Sequence, residues 1–465
     1  MPRMSSFYLR RTALLRTAPT AVSGRERGRR RLRLLVVAAF VGALLTVSVE
    51  ARAQVRGLIV GPGETAFPIA VSPLRSDAQS ADLGERFAEV VGRDLDFAGL
   101  FRVLDRGSFI EDPQKSGVTA EEINFADWST IGARLLVKGT YAVHGDDVEL
   151  EARLFDVAER RQLGGKRYRG ARSDLRRMGH RFADEIMLIL TGERGPFDSR
   201  FAFISRRGGR FKELYVMSFD GQDLKQLTRN QTINLSPGWS PDNRLVLFTS
   251  YQDGKPRLYE IEVASGRQRL LSALPGATYG ARFAPDGGSI AVAREVTPGN
   301  TDIVLMNPAG DVLRKLAASD GIDVSPSWSP DGRSFAFCSS RAGSPQIYVG
   351  GLDGGTPRRL TFSGSYNTSP AWSPKGDRIA YVGRVGGAFQ IFVIAASGGE
   401  PQALTSSRGD NVDPSWSPDG RYIVFSSSRG GHEQLFVMDS RGEHEKQLTT
   451  GPGGDTSPAW SSRLE

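Results

Sequence analysis

The chain has 465 residues, with 60 Lys and Arg against 52 Asp and Glu, and a formal net charge of +8 at pH 7. Eleven arginines against Glu26 and Glu50 place +9 of that charge in the first 53 residues, which leaves about −1 for the rest and no cationic stripe for nucleic acid. Cys338 is the single cysteine, which excludes an internal disulfide framework.

The first 53 residues read as a cleaved targeting segment, with a membrane anchor as the alternative. An uncharged apolar run, Leu34 to Val49, follows the clustered arginines, and Ala51-Arg52-Ala53 supplies a small-x-small site. The expected signal cleavage falls between Ala53 and Gln54. Sixteen apolar residues are short for a span of about 20, and no other run approaches that length, so the mature chain is expected to be soluble. Arg29 to Arg31 also admit a twin-arginine reading, a weak one without the flanking pattern, so the export route stays open.

Gln54 to Val60, QVRGLIV, reads as an extended arm. Gly61-Pro62-Gly63 has the look of a dinucleotide fingerprint, but the following Phe67-Pro68-Ile69-Ala70-Val71 is extended instead of helical, which argues for a turn and against a cofactor. Leu83, Phe87, Val90, Val91 and Leu95 then recur at helical spacing, as do Leu175, Met178, Phe182, Ile186 and Ile189. Between them, Leu135–Ala142, Val148–Phe155 and Gln162–Tyr168 read as strands. Helices on one side of a small mixed sheet make an α+β domain over residues 54–195. Asp94 and Asp96 are expected to be solvated charges. His180 stands four residues before Asp184 on the second helix and reads as a capping or salt-bridging histidine, since no metal-ligand spacing surrounds it.

Residues 196–465 are organised by a repeat. SPGWSPDNRLVLFTS from Ser236 recurs as GARFAPDGGSIAVAR from Gly280, SPSWSPDGRSFAFCSSR from Ser325, SPAWSPKGDRIAYVG from Ser369, DPSWSPDGRYIVFSS from Asp413 and a truncated SPAWSS from Ser457. The anchors Trp239, Phe283, Trp328, Trp372, Trp416 and Trp460 stand 44 or 45 residues apart, the period of one propeller blade. Each unit offers a Trp-bearing strand, a Pro-Asp-Gly turn and three further strands, the fourth ending near a Leu-Thr pair. The first unit, from Phe201, lacks its Trp strand, and the C-terminus supplies an extra one at Ser457–Ser461. The expected fold is therefore an all-β six-bladed propeller, four strands per blade, closed by the C-terminal strand. The proline of the Trp strand has no N–H for a ladder, which places that strand on the innermost edge. The aromatic column reads as inter-blade packing, the repeated Asp as a turn former, and Cys338, within FAFCSS, as a small core residue.

With signal, α+β domain, six blades and closing strand in this order, the chain resembles the TolB family, periplasmic propeller proteins of the Tol-Pal envelope system. The resemblance rests on FPIAV from Phe67, DWSTIG from Asp127, GHRFADEI from Gly179 leading into LTGERGPF, the W/F-[SA]-P-[DK] repeats and the closing SPAWSS. It implies a non-catalytic scaffold in the periplasm with no cofactor or metal, acting as a monomer in outer-membrane integrity and in constriction at division. It further implies two partners. A TolA-like inner-membrane protein takes the arm, Gln54, Val55, Arg56, Gly57 and Leu58. A Pal-like outer-membrane lipoprotein sits over one mouth of the channel, on the residues entering the innermost strands. These are Asn234, Leu235 and Ser236; Thr278, Tyr279 and Gly280; Asp323, Val324 and Ser325; Asn367 and Thr368; Asn411 and Val412; and Asp455 and Thr456.

The alternatives are a propeller-type hydrolase or a peptidase-associated domain, and a polysaccharide or cation binder using the channel. Against catalysis stand the lack of a G-x-S-x-G elbow, the four residues left after Ser461, and only four histidines, His144, His180, His432 and His444, without metal spacing.

Overall fold

A computed structural model of the protein describes residues 66–76, 82–272 and 275–464. The cleavage site Ala53/Gln54, the apolar run Leu34–Val49 and the arm from Gln54 to Leu58 lie outside the described residues.

The N-terminal part is a mixed sheet of β1 (Phe67–Val71), β2 (Arg75–Ser76), β3 (Phe101–Val103), β4 (Leu135–His144), β5 (Asp147–Asp156) and β6 (Arg161–Ala171), in the order β3-β1-β4-β5-β6. β1 pairs in parallel with β3 and β4, and β2 with β4, while β4, β5 and β6 are antiparallel. Alternation along the strands puts Ala70, Leu136 and Phe155 on one face and Val71, Val137 and Leu154 on the other. Helices α1 (Asp82–Phe97) and α3 (Leu175–Thr191) pack on each other, with Phe87 and Phe182 ring centroids 6.0 Å apart. Gly179 makes their close approach possible, since a Cβ there would lie 2.8 Å from Val90. The expectation of helices on one side only is corrected. A short helix, α2 (Phe125–Thr130), buries Phe125 and Trp128 against Ala70, Leu136 and Phe155 on the opposite face. Its six residues are too few to show a helical period.

The propeller follows. Six four-stranded antiparallel sheets run from an inner strand outward. The inner strands are Asp455–Trp460 for blade 1, then Asn234–Trp239, Thr278–Phe283, Asp323–Trp328, Asn367–Trp372 and Asn411–Trp416 for blades 2 to 6. Each touches the next, and the last touches the first, so they wall the channel. Blade 1 pairs Asp455–Trp460 with Arg200–Ser205, which closes the ring as expected. The expected fourth strands are shorter than the Leu-Thr pairs suggest: in four blades only two residues pair, as at Lys225–Gln226, and Leu227 and Thr228 lie beyond them. The threonine is used differently, its hydroxyl accepting the N–H of the third strand, as Thr228 does from Leu214 at 2.8 Å.

Candidate binding faces of the propeller

Every inner strand begins at one face of the ring and ends at the other. Its third residue has a left-handed backbone: Ser236 (φ 53°), Gly280 (59°), Ser325 (57°), Ser369 (49°), Asp413 (54°) and Ser457 (51°). At each, the register with the second strand shifts, which marks a bulge. The proline that follows in five of the six strands cannot donate to a ladder, so the bulge costs no hydrogen bond there. Left-handed backbone costs a non-glycine residue about 1–2 kcal/mol, and five such residues stand around one neck.

The expected lipoprotein-binding residues separate into three kinds. The first of each strand, Asn234, Thr278, Asp323, Asn367, Asn411 and Asp455, is buried and serves the ring itself. Asn367 donates to Gln346 Oε1 at 2.9 Å, Asn411 to Gln390 Oε1 at 2.9 Å, and Asn234 to Glu213 Oε2 at 3.1 Å. Asp323 accepts from Arg341 at 3.0 Å, and Asp455 pairs with Arg207. The second, Leu235, Tyr279, Val324, Thr368, Val412 and Thr456, is half-buried, and the third, including Ser236, Gly280 and Ser325, lines the neck.

What this entry face exposes is a set of apolar side chains that sequence reasoning passed over. Ile233, Ile322 and Tyr366 stand immediately before inner strands at 47%, 45% and 38% exposure, and Phe362 is 75% exposed. Val296 and Val385 extend the set at the ends of second strands. Arg359 sits over the Phe362 ring at 5.0 Å. These residues span blades 2 to 5. All of them lie on one rim of the ring.

The exit face carries the α+β domain. Tyr422 donates to the Ala98 carbonyl at 3.0 Å, Glu193 accepts from Lys375 at 3.1 Å and from Arg421 at 3.3 Å, and Phe97 packs edge-on against Phe219 at 4.7 Å. Asp94 corrects the sequence reading: far from solvated, it is buried, with Oδ2 2.7 Å from His180 Nδ1. His180 Nε2 in turn lies 3.2 Å from Asp220 of blade 1, and Asp220 also pairs with Arg176. His180 thus hydrogen-bonds a residue distant in sequence instead of Asp184. Asp184 turns instead to the inter-domain linker and accepts the N–H groups of Phe197 and Asp198, each at 3.0 Å. Burial raises both carboxyls: Asp94 goes up despite His180, and Asp184 rises to about 8 despite its two N–H donors.

The aromatic column joins blades. Trp239 donates its indole N–H to Ala459 at 3.0 Å, Trp328 to Arg282 at 3.1 Å and Trp416 to Ala371 at 2.9 Å, each acceptor a carbonyl of the preceding blade. The indole and proline edges leave a funnel of about 560 Å³ at the exit end of the channel. The turn aspartates behave as expected: Asp331 accepts from Ser329 at 2.6 Å and from the Arg333 N–H at 3.0 Å. Cys338 is buried, and its thiol is pushed up to about 11 by burial, which makes it inert. Asp439, Glu443 and His444 bring three potential ligand atoms together at the surface, but Arg441 already sits between the two carboxylates, at 3.0 and 3.1 Å.

A closed six-bladed ring, with one broad face packed on an α+β domain and exposed apolar side chains among the described residues of the other, defines a six-bladed propeller protein with an N-terminal α+β domain. The description "TolB beta propeller domain" matches residues 188–464, and "TolB amino-terminal domain" matches residues 58–163. The chain belongs to the TolB family. It is 43% identical over 237 residues to the Tol-Pal system protein TolB of Desulfosudis oleivorans, covering 50% of this chain and 53% of that one. It is 39% identical over 289 residues to the TolB homolog of Chlorobium chlorochromatii, covering 60% and 62%. The chain thus spans about half to three fifths of the length of these curated relatives. Among solved structures, TolB from Acinetobacter baumannii superposes with a TM-score of 0.74 at 28% identity, covering 86% of this chain and 97% of that one.

Proposed function

We propose that the protein is a non-catalytic scaffold of a Tol-Pal envelope system, exported to the periplasm with cleavage between Ala53 and Gln54. Its entry face receives a Pal-like outer-membrane lipoprotein, and its arm, Gln54 to Leu58, is taken by a TolA-like inner-membrane protein. Linking the two membranes in this way serves outer-membrane integrity and constriction at division. The observation that carries the reading is the open entry face: Ile233, Ile322, Phe362 and Tyr366 offer apolar contact around a polar neck, while the α+β domain occupies the exit face. A partner there buries apolar surface worth about 25 cal/mol per Å² and meets the half-buried Leu235, Tyr279, Val324 and Val412 between those anchors.

Hydrogen exchange with and without the soluble domain of a Pal-like lipoprotein tests the reading. Protection is expected in the loops leading to Asn234, Asp323 and Asn367. Protection confined to the exit face would overturn it. Removing Gln54–Val60 is expected to abolish binding of a TolA-like domain and to leave lipoprotein binding and the melting temperature intact; unchanged TolA-like affinity would overturn the arm assignment.

A further inference from the structure

At the neck, where the other inner strands present only neutral residues, two repeats place opposite charges in one small cavity. Blade 3 carries Arg282 in Gly280-Ala281-Arg282-Phe283, and blade 6 carries Asp413 where Ser236, Ser325, Ser369 and Ser457 stand in other blades. Three steps apart in a ring of six, these blades face each other across the channel. Both residues line a cavity of about 100 Å³ at the neck, well above the space one water requires.

The two charges sense one another across this space but form no direct ion pair. Arg282 spends Nη1 on the carbonyls of Ala281, at 2.8 Å, and Ser236, at 3.3 Å, and its Nε and Nη2 have no partner among the described residues. Asp413 accepts from Ser457 Oγ through Oδ2 at 2.9 Å. The hydroxyls of Ser236, Ser325 and Ser369 make no hydrogen bond among the described residues, although all three line the same cavity. The concave wall desolvates both charges, pushing the Asp413 carboxyl up and the Arg282 guanidinium down. Opposite charges held apart in such surroundings are unfinished without a bridging group.

We propose that the channel neck binds a compact zwitterion, an α-amino acid, with its carboxylate on Arg282 and its ammonium on Asp413. A simple anion would satisfy Arg282 and be repelled by Asp413, and a simple cation the reverse; one molecule with both charges completes both. Free serine hydroxyls suit either end, because a hydroxyl both donates and accepts. The five bulge residues other than Gly280 keep left-handed backbones that hold this neck in shape before any ligand arrives. The inference does not depend on which protein docks on the entry face.

Calorimetric titration of the intact protein with glycine, D-alanine and L-alanine tests it, with acetate and methylammonium as single-charge controls. Saturable binding of at least one amino acid is expected, at least about tenfold tighter than either control. Arg282→Gln and Asp413→Asn are each expected to weaken it by about tenfold or more, with melting curves verifying the fold. No saturable binding of any amino acid, or acetate or methylammonium binding equally well, would overturn the proposal and leave a hydrated structural ion pair. So would unchanged affinity in both variants. The wild-type ligand series decides the matter even if a variant fails to fold.

Discussion

Asp94 Oδ2 lies 2.7 Å from His180 Nδ1, although 86 residues separate them, and the opposite edge of the same imidazole reaches Asp220 at 3.2 Å. One buried ring thus ties α1 to α3 beside blade 1. Removing one partner of a buried hydrogen bond leaves the other desolvated and unsatisfied, at a cost of about 1–3 kcal/mol. His180→Ala is therefore expected to destabilise the protein by roughly that amount in urea unfolding. Adding Asp94→Asn to His180→Ala is expected to recover part of the loss, because the buried carboxyl left without its partner is gone. A double variant less stable than the single one would contradict the pairing.

The neighbouring Asp184 predicts a pH dependence. Its carboxyl titrates at about 8 in the folded chain against an ordinary value of 3.8, because burial outweighs its two N–H donors. The folded state then holds a proton that the unfolded state has released. This group's favourable contribution is full below about pH 4 and is lost as pH rises through about 8. In Asp184→Asn that slope is expected to flatten, so the stability difference between pH 5 and pH 8 shrinks relative to wild type. An unchanged difference would show that Asp184 does not carry it.

Closure of the ring rests on the last strand. Trp460 packs on Phe201 at 4.7 Å and donates its indole N–H to Ser199 at 2.8 Å, while its backbone N–H bonds Ser415 Oγ of blade 6 at 3.0 Å. Trp460→Ala is expected to cost about 3–5 kcal/mol. Deleting Ser457–Glu465 removes four of the six residues of the inner strand of blade 1, and a large fall in melting temperature with loss of cooperativity is expected. A melting curve matching the full chain would refute closure as a source of stability.

Much of this architecture is legible in the sequence because a repeated unit repeats its packing: Trp239, Trp328 and Trp416 recur at multiples of the blade period, and each meets the preceding blade in the same way. Even the buried polar triads are periodic. Gln346 stands 15 residues before Thr361 and 21 before Asn367, and Gln390 stands in the same relation to Thr405 and Asn411. That spacing was a signal that Asn367 and Asn411 belong to the ring's interior. The Asp94–His180 contact has no such signal, because it joins two helices across a long intervening sheet segment, and proximity of that kind leaves no trace in spacing. Ile322 and Tyr366 were overlooked for a different reason. An isolated apolar residue in a loop carries no period, and only the folded ring reveals that several of them share one face.

The entry face is central to the proposed function, and Ile322 and Phe362, 45% and 75% exposed, are two apolar side chains that it presents on adjoining blades. Hot-spot side chains typically cost at least 2 kcal/mol each when lost, so Ile322→Glu combined with Phe362→Glu is expected to weaken binding of a Pal-like lipoprotein by about 100-fold or more. Neither side chain is buried in the free protein, so its melting temperature is expected to hold. The most direct measurement is a titration of the lipoprotein's soluble domain against the wild type and this double variant. Binding by the wild type that is lost in a folded double variant is the predicted result, and equal affinity for both would contradict docking on this face.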